Sequence, residues 1–426
     1  MERAVTSAIM LAVNSVELGP VPPGERQQSG LDLFLIFAGA NIVATTLQVG
    51  AGLSETFTTR EALGIIGVGA VTGGALVAAL APIGPKLGVP SIVAARAALG
   101  FSGAQFLALL LFVTNFAWIA LNNVIAASIC ARLFGGEASQ GIWAVGAGLL
   151  ATVIVAGGPR AVSKADRWAV PALAVAGIVM TIACLRATMP ASAVVESAAG
   201  PADWLRGLDI TAGYQVTWLL MFADYSRYNR TGGRTTALAV FLGLALSAIW
   251  FMPLGLVAAT VAGSTDPGEM IFALRLGVWG ALLVMTATLT TNFVNIYMSA
   301  LALKSLRPGM SDRAGVWFIG AVGAALSVLS TAWLNRFADF TILLAGILVP
   351  IGGILLAHYF LLNRAVRVDD LYSTAGPYRR HAGWSIAGTM AWAAGAATFY
   401  LAAAIGGALP SLLVAIVVYV LLARRP

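Results

Sequence analysis

Residues 286–295 read TATLTTNFVN, four threonines and two asparagines set between the apolar runs GVWGALLVM and IYMSALAL. In a soluble protein this stretch is a loop. Inside a membrane protein it is a polar stripe on a spanning helix, so its reading decides the fold. The rest of the chain settles the choice. Of its 426 residues 59% are hydrophobic and only 10% charged, against about 25% charged in a soluble protein. Mean hydropathy is +0.88, and the 47 glycines suit packed membrane helices, where glycine is frequent. The net charge of +7 carries no argument for nucleic acid, because Lys and Arg also accumulate beside membranes. Cys130 and Cys184 lie in apolar runs and read as small packing residues, with no disulfide framework implied.

A bilayer core about 30 Å thick needs about 20 helical residues. Apolar runs of that kind lie near 31–53, 62–82, 100–131, 140–158, 168–188, 208–224, 236–262, 271–302, 316–334, 338–362, 384–403 and 406–423, twelve in all. The sixth is short and polar. Residues 3–20, RAVTSAIMLAVNSVELGP, resemble a weak signal peptide. Glu17, Pro20, Pro22 and Pro23 follow its short apolar core, with no convincing small-residue cleavage site. Residues 1–28 therefore read as a cytosolic tail. With that start, 19 of the 25 basic residues fall in cytosolic segments, leaving Arg60, Arg132, Arg186, Arg206, Arg275 and Arg336 outside. The acidic residues divide nine and nine. A bias in Lys and Arg alone is what orients a membrane protein, so both termini are expected in the cytoplasm and the protein in the plasma (inner) membrane.

An internal repeat is also expected. Gly30-Leu31-Asp32 opens the first run and Gly207-Leu208-Asp209 the sixth; Thr114-Asn115-Phe116 lies in the third and Thr291-Asn292-Phe293 in the eighth. Both pairs are offset by 177 residues. Five crossings per unit invert the second unit relative to the first. Inverted repeats around a midplane site between broken helices are a secondary-transporter architecture. Gly39, in Ala38-Gly39-Ala40-Asn41, and Gly213, in Thr211-Ala212-Gly213-Tyr214-Gln215, mark the expected breaks. The alternative for each glycine is close helix packing.

The opening stretch now reads as chemistry. Ala287, Thr290 and Thr291 fall at i, i+3 and i+4, one helix face, and offer two hydroxyls and a carbonyl, oxygen ligands that suit an alkali cation. Asn295 continues this face, with Thr288 and Asn292 beside it. The third run carries Asn115, Trp118 and Asn122, an indole that can stack on a flat ring and amides that can pair with its edge. The competing role for each Thr or Asn is a hydrogen bond to a neighbouring helix, about 0.6 kcal/mol on average. Thr286 and Thr288 read as structural in that sense.

At these residues the chain resembles the nucleobase:cation symporter family of purine, cytosine, allantoin and hydantoin permeases. The resemblance runs from about residue 19 to about residue 370 through GPVPPGER, GANIVATTLQVG, TNFAW, ADYSRYNR, TTNFVN and VPIGGILLAHYFLLNR. It implies a sodium site of the Gly39, Ile42 and Ala287 carbonyls with the Thr290 and Thr291 hydroxyls. It also implies Trp118 as the stacking residue, Asn115 and Asn122 as its companions, Asn292 or Asn295 as the eighth-helix amide, and Asp224 as a gate or loop anchor. Two positions depart from the family pattern. Gln215 stands where the family has an aromatic residue, with Tyr214 beside it and Trp218 one turn on. His358 stands where the family has an aspartate.

The expectation is an all-α membrane protein of 12 transmembrane helices. A five-plus-five inverted-repeat (LeuT-like) core is formed by residues 29–190 and 205–363, and residues 382–426 carry two peripheral helices. Its substrate side chains are Asn115, Trp118, Asn122, Gln215, Asn292 and Asn295, and its coupling ion is sodium. Its partners are a neutral heterocycle, the cation and the lipid bilayer, with no nucleic acid. An enzyme would need clustered acid–base or nucleophilic groups, and two distant histidines supply none. A channel would need a repeated filter or charged ring, and none is visible. A sodium- or proton-coupled carrier of another small molecule, such as an amino acid, is the nearest rival; against it, no cationic side chain stands ready for a carboxylate.

Overall fold

A computed structural model of the protein describes residues 18–188, 199–307, 309–329, 336–373, 375–379 and 381–423. Expectations for residues 1–17, and for Arg380, Arg424 and Arg425, lie outside the described residues. A helix occupies each of the twelve apolar runs, the ninth as far as residue 329. We label the helices α1 (Gly30–Asn41), α2 (Ala44–Leu53), α3 (Thr59–Leu80), α4 (Ile83–Leu87), α5 (Ser91–Phe134), α6 (Gln140–Ala156) and α7 (Pro159–Arg186). They continue as α8 (Pro201–Val216), α9 (Gly233–Ala262), α10 (Pro267–Ala273), α11 (Gly277–Leu306), α12 (Asp312–Leu326), α13 (Phe337–Leu356), α14 (Val368–Tyr372), α15 (Ile386–Leu401) and α16 (Ala408–Ala423). Among the described residues six helices are long and apolar enough to cross a membrane. The bent pair α1–α2 makes up to seven, and α6, Val175–Arg186 of α7 and α16 are shorter apolar helices.

Apolar side chains cover much of the exterior as well as filling the core. Val71, Val153, Ile178, Leu246, Leu413 and Val417 each expose more than 40% of their surface, whereas Asn41, Asn122, Asn123, Gln215 and Asn292 are fully buried. Apolar side chains facing outward suit lipid. Amides facing inward then need partners within the protein or a bound molecule.

Local rules set the helix starts. Ser29 Oγ accepts from the Asp32 amide at 3.2 Å while the Asp32 carboxylate accepts from the Ser29 amide at 2.8 Å, a reciprocal cap that begins α1 at Gly30. Thr58 and Glu61 do the same for α3. Asp209, which the expected repeat would pair with Asp32, acts elsewhere: its carboxylate accepts from the Gly407 and Ala408 amides at 2.8 and 3.2 Å and so caps α16. The last two helices are fastened to the core. Trp392 Nε1 donates to the Ile347 carbonyl at 3.2 Å, and His358 Nδ1 pairs with the Tyr419 hydroxyl at 2.7 Å.

The described part of the tail is built into the fold: the Val21 amide donates to the Gly88 carbonyl at 2.8 Å, Gln28 to Tyr228 at 3.0 Å and Arg230 to Gln28 at 2.9 Å. One expectation, the position of the helix breaks, is corrected here. Gly39 is helical, and the first break is at Ile42 and Val43, where φ is −86° and −140°. These angles are open to any residue, so the break needs no glycine and a search for glycine misplaces it by three residues. Gly213 is helical too. A Cβ there would lie 2.9 Å from Ala345 Cβ and from the Thr341 carbonyl, so this glycine permits close contact with α13. The α-helical part of the sixth span ends three residues later, at Val216, and continues as a 3-10 turn through Met221. Such a tightened stretch within a span often marks a hinge.

The helices that surround the first break are held by one very close crossing. A Cβ on Gly50 of α2 would lie 1.8 Å from the Met252 carbonyl oxygen, and one on Gly255 of α9 would lie 1.9 Å from the Leu47 carbonyl oxygen. Only glycine fits at either point.

Candidate substrate and cation site

The site is assembled from α1, α2, α5, α8 and α11. α5 and α11 pack along each other, which brings the two polar stripes of the sequence face to face. Their link is Asn292 Nδ2 donating to Asn123 Oδ1 at 2.7 Å, and Asn123 Nδ2 donating on to Ser327 Oγ at 2.8 Å. Asn122, expected to face substrate, turns back and donates to the Trp118 carbonyl of its own helix at 2.9 Å. Adjacent helical residues point about 100° apart, so Asn122 and Asn123 serve different neighbours.

Trp118 stands among aromatic rings set edge-on. Tyr214 lies 5.9 Å away at 75°, Phe337 6.0 Å at 78° and Phe340 5.2 Å at 67° between centroids and planes. The aromatic residue of α8 that meets Trp118 is thus Tyr214, one residue before the position the resemblance indicated. Gln215 turns instead towards α1, where its Oε1 accepts from Asn41 Nδ2 at 3.3 Å. Its side chain makes no hydrogen bond to main chain among the described residues, so it does not cap the break. Trp218 meets Phe37 edge-on at 6.0 Å and belongs to the packing of α1.

All five amides expected to touch substrate hold a buried polar atom without a partner among the described residues: Asn115 Nδ2, Asn122 Oδ1, Gln215 Nε2, Asn292 Oδ1 and Asn295 Nδ2. A buried group left unpaired costs about 1–3 kcal/mol. The five lie on three helices, α5, α8 and α11.

The oxygens expected to hold a cation fall into two groups. On α1, the Ile42 amide donates to the Ala38 and Gly39 carbonyls at 3.0 and 3.3 Å, while the Ile42 carbonyl accepts no hydrogen bond among the described residues. A Cβ on Gly39 would meet no atom within 4 Å, so open space lies beside it. On α11, the Thr290 and Thr291 hydroxyls both donate to the Ala287 carbonyl at 2.9 Å. Their lone pairs are left free. Ile42 and Ala287 line one cavity, whose wall is otherwise apolar (Leu47, Leu173, Met180, Phe251, Ile271 and Val284 among its residues) and does not include Gly39, Thr290 or Thr291. The donor set fits an alkali ion in kind: neutral hard oxygens without a carboxylate, the group that calcium sites usually add. The Ala287 carbonyl would join it once the two hydroxyls rotate away.

Thr286 and Thr288 donate to the Leu282 and Val284 carbonyls of their own helix at 2.7 and 2.8 Å, and not to a neighbouring helix as expected. Asp224 Oδ2 accepts from the Ser91 amide at 3.3 Å, and Ser91 Oγ accepts from the Ala223 amide at 2.8 Å. This ties the turn after α8 to the start of α5, as a loop anchor would. His358 lies at the end of α13 beside α16, bonded to Tyr419.

Sequence reasoning missed Asn41, Tyr214, Thr45, Thr46 and Asn123. Asn41 Nδ2 reaches the Leu244 carbonyl and Ser247 Oγ at 3.1 Å each, and the Tyr214 hydroxyl lies within hydrogen-bond distance of both threonines. The signal of Asn41, Thr45 and Thr46 was present as polarity in GANIVATTLQVG, a segment read for Gly39 and, through the resemblance, Ile42.

Residues 20–420 match the family described as permease for cytosine/purines, uracil, thiamine and allantoin. The cytosine permease of Escherichia coli (strain K12) is 26% identical over 358 residues, covering 82% of each chain. Among solved structures, Mhp1, a nucleobase-cation-symport-1 family transporter, in a closed conformation with bromovinylhydantoin bound, superposes with a TM-score of 0.79 at 19% identity over 96% of each chain. Its inward-facing conformation gives 0.81 at 21% identity, over 95% of this chain and 93% of that one.

Proposed function

Because the chain belongs to the family of permeases for cytosine and purines, uracil, thiamine and allantoin, we propose that it is a secondary active transporter importing a neutral, planar, nitrogen-rich heterocycle with a cation, sodium. One observation carries the substrate class. Asn115, Asn122, Gln215, Asn292 and Asn295 each keep a buried amide atom unpartnered among the described residues, and a side-chain amide offers both donors and an acceptor. A ring bearing carbonyl or ring-nitrogen acceptors together with N–H donors satisfies both kinds. A ligand without them leaves the amides unpaired and is rejected. Trp118 supplies a stacking face, worth about 1–3 kcal/mol per base in comparable aromatic contacts.

Sodium is proposed on the oxygen set of Gly39, Ile42, Ala287, Thr290 and Thr291. The driving force is the ion gradient, each charge moved across 100 mV releasing about 2.3 kcal/mol. The residues' own part is to bind and to hinge: the break at Ile42–Val43 and the 3-10 turn after Val216 lie in the first helix of each proposed repeat. The arrangement proposed is two inverted five-helix units, residues 29–190 and 205–363, with two further helices in 382–426. Both termini lie in the cytoplasm and the protein in the plasma (inner) membrane. The 177-residue offset and the paired discontinuities support the repeat; the Lys and Arg bias supports the orientation.

A thermal-shift panel on purified protein tests the substrate class. Cytosine, uracil, allantoin, hydantoin and thiamine are compared with phenylalanine and leucine in sodium chloride. At least one heterocycle should raise the melting temperature and neither amino acid should. A shift with an amino acid alone would contradict the reading.

A further inference from the structure

Tyr214 joins the two halves of the site. Its hydroxyl lies 2.7 Å from Thr46 Oγ and 3.1 Å from Thr45 Oγ, and Thr46 Oγ lies 2.6 Å from the Asn41 carbonyl oxygen. The direction of these bonds follows from one constraint, that a carbonyl only accepts. Thr46 has a single proton and gives it to Asn41. The Tyr214 proton therefore goes to Thr46, and the tyrosine oxygen accepts from Thr45. Asn41 closes α1, and Thr45 and Thr46 lie in the first turn of α2. The chain of hydroxyls thus spans the break, with the Ile42 carbonyl between its ends.

The other end of Tyr214 faces the substrate residues. Its ring is 5.9 Å from Trp118 and 6.4 Å from Phe337, and the residue is buried at 3% exposure. A rigid phenol with one edge on Trp118 and its hydroxyl on the bent link cannot shift without moving one against the other. We propose that Tyr214 is the positioning residue that couples heterocycle binding to cation binding. A ring seated against Trp118 fixes Tyr214, Tyr214 fixes the Ile42–Val43 link, and the link presents the Ile42 carbonyl to sodium. This inference rests on the function proposed above. By linkage, sodium and heterocycle must each raise the other's affinity by the same factor.

The test compares wild type with Tyr214→Phe, which keeps the ring and removes the hydroxyl, and with Thr46→Val, which cuts the chain from the other side. Affinity for uracil, cytosine, allantoin and hydantoin is measured by calorimetry in sodium chloride and in choline chloride. Hydrogen exchange over residues 36–50 is followed with sodium alone. Wild type should show a sodium-induced gain in affinity within the usual range for coupled sites, about 5–150-fold, and both variants a gain close to onefold. Sodium alone should protect residues 36–50 in wild type, with its midpoint moved to higher concentration in both variants. An unchanged coupling factor or sodium midpoint in the two variants overturns the proposal, as does a wild type whose break ignores sodium. Failure of every heterocycle to bind wild type would instead remove the functional reading, and the exchange experiment would still decide the link. Should Tyr214→Phe fail to fold, Thr46→Val decides alone.

Discussion

Replacing Trp118 by alanine is expected to weaken heterocycle binding by about 1–3 kcal/mol, that is by roughly 5- to 150-fold, while the protein stays folded in detergent. The size follows from what is removed. The indole is the one large flat face on the α5 stripe, and its loss leaves Asn115 and Asn122 to hold a ring by its edge alone. Folding should survive because Trp118 is only partly buried, and because Tyr214 and Phe337 keep a contact of their own at 6.4 Å. Calorimetry with the heterocycle that gives the largest thermal shift checks this. Binding within twofold of wild type, in protein that remains monodisperse, would move the pocket away from α5.

The second large effect is expected at Thr291. Valine keeps the shape of threonine and replaces the hydroxyl oxygen with a methyl group, so Thr291→Val removes a ligand from the proposed ion site with little change of volume. The hydroxyl's bond to the Ala287 carbonyl at 2.9 Å is lost as well, but that carbonyl still accepts from Thr290 and is not left unpaired. Loss of one oxygen from a five-oxygen set should raise the sodium concentration for half-maximal uptake by about tenfold or more, near 1.4 kcal/mol. Identical sodium activation in wild type and variant would remove Thr291 from the site.

The sequence was most legible where polarity contradicted its surroundings. Thr290, Thr291, Asn292 and Asn295 stood out because hydroxyls and amides are costly among apolar neighbours, and Asn115, Trp118 and Asn122 stood out for the same reason. Family resemblance then added Gly39 and Ile42, which no polarity signal marks because they act through main chain. The break was misplaced for a related reason. A bend at φ −86° and −140° needs no special residue, so nothing in the side chains announces it. What stabilises it is remote in sequence: Tyr214 from α8, and Leu244 and Ser247 from α9. Gly213 shows the converse. A glycine conspicuous in sequence proved to serve close packing on Ala345 and Thr341. Asn123 was passed over because the helical stripe through Asn115 and Asn122 excludes its neighbour, whereas α5 is buried on several sides and uses both asparagines.

Buried polarity also separates the proposed carrier from its nearest rival. An amino-acid transporter must meet a carboxylate and an ammonium group. The candidate pocket presents only neutral amides and aromatic rings, and the buried Asp209 and Asp224 accept hydrogen bonds from backbone amides. A zwitterion would enter such a site at the cost of two poorly compensated charges.

The central claim is that uptake of a neutral heterocycle is driven by a cation gradient. Its most direct test is transport into proteoliposomes loaded with potassium buffer at a fixed pH of 7, with radiolabelled uracil, cytosine, allantoin and hydantoin supplied outside in sodium or in choline. Accumulation of at least one of them above its external concentration is predicted when sodium is outside. It should collapse when sodium is equal on both sides and be abolished by an excess of the same unlabelled compound. Accumulation of none of them, or accumulation that proceeds equally in choline, would contradict the account.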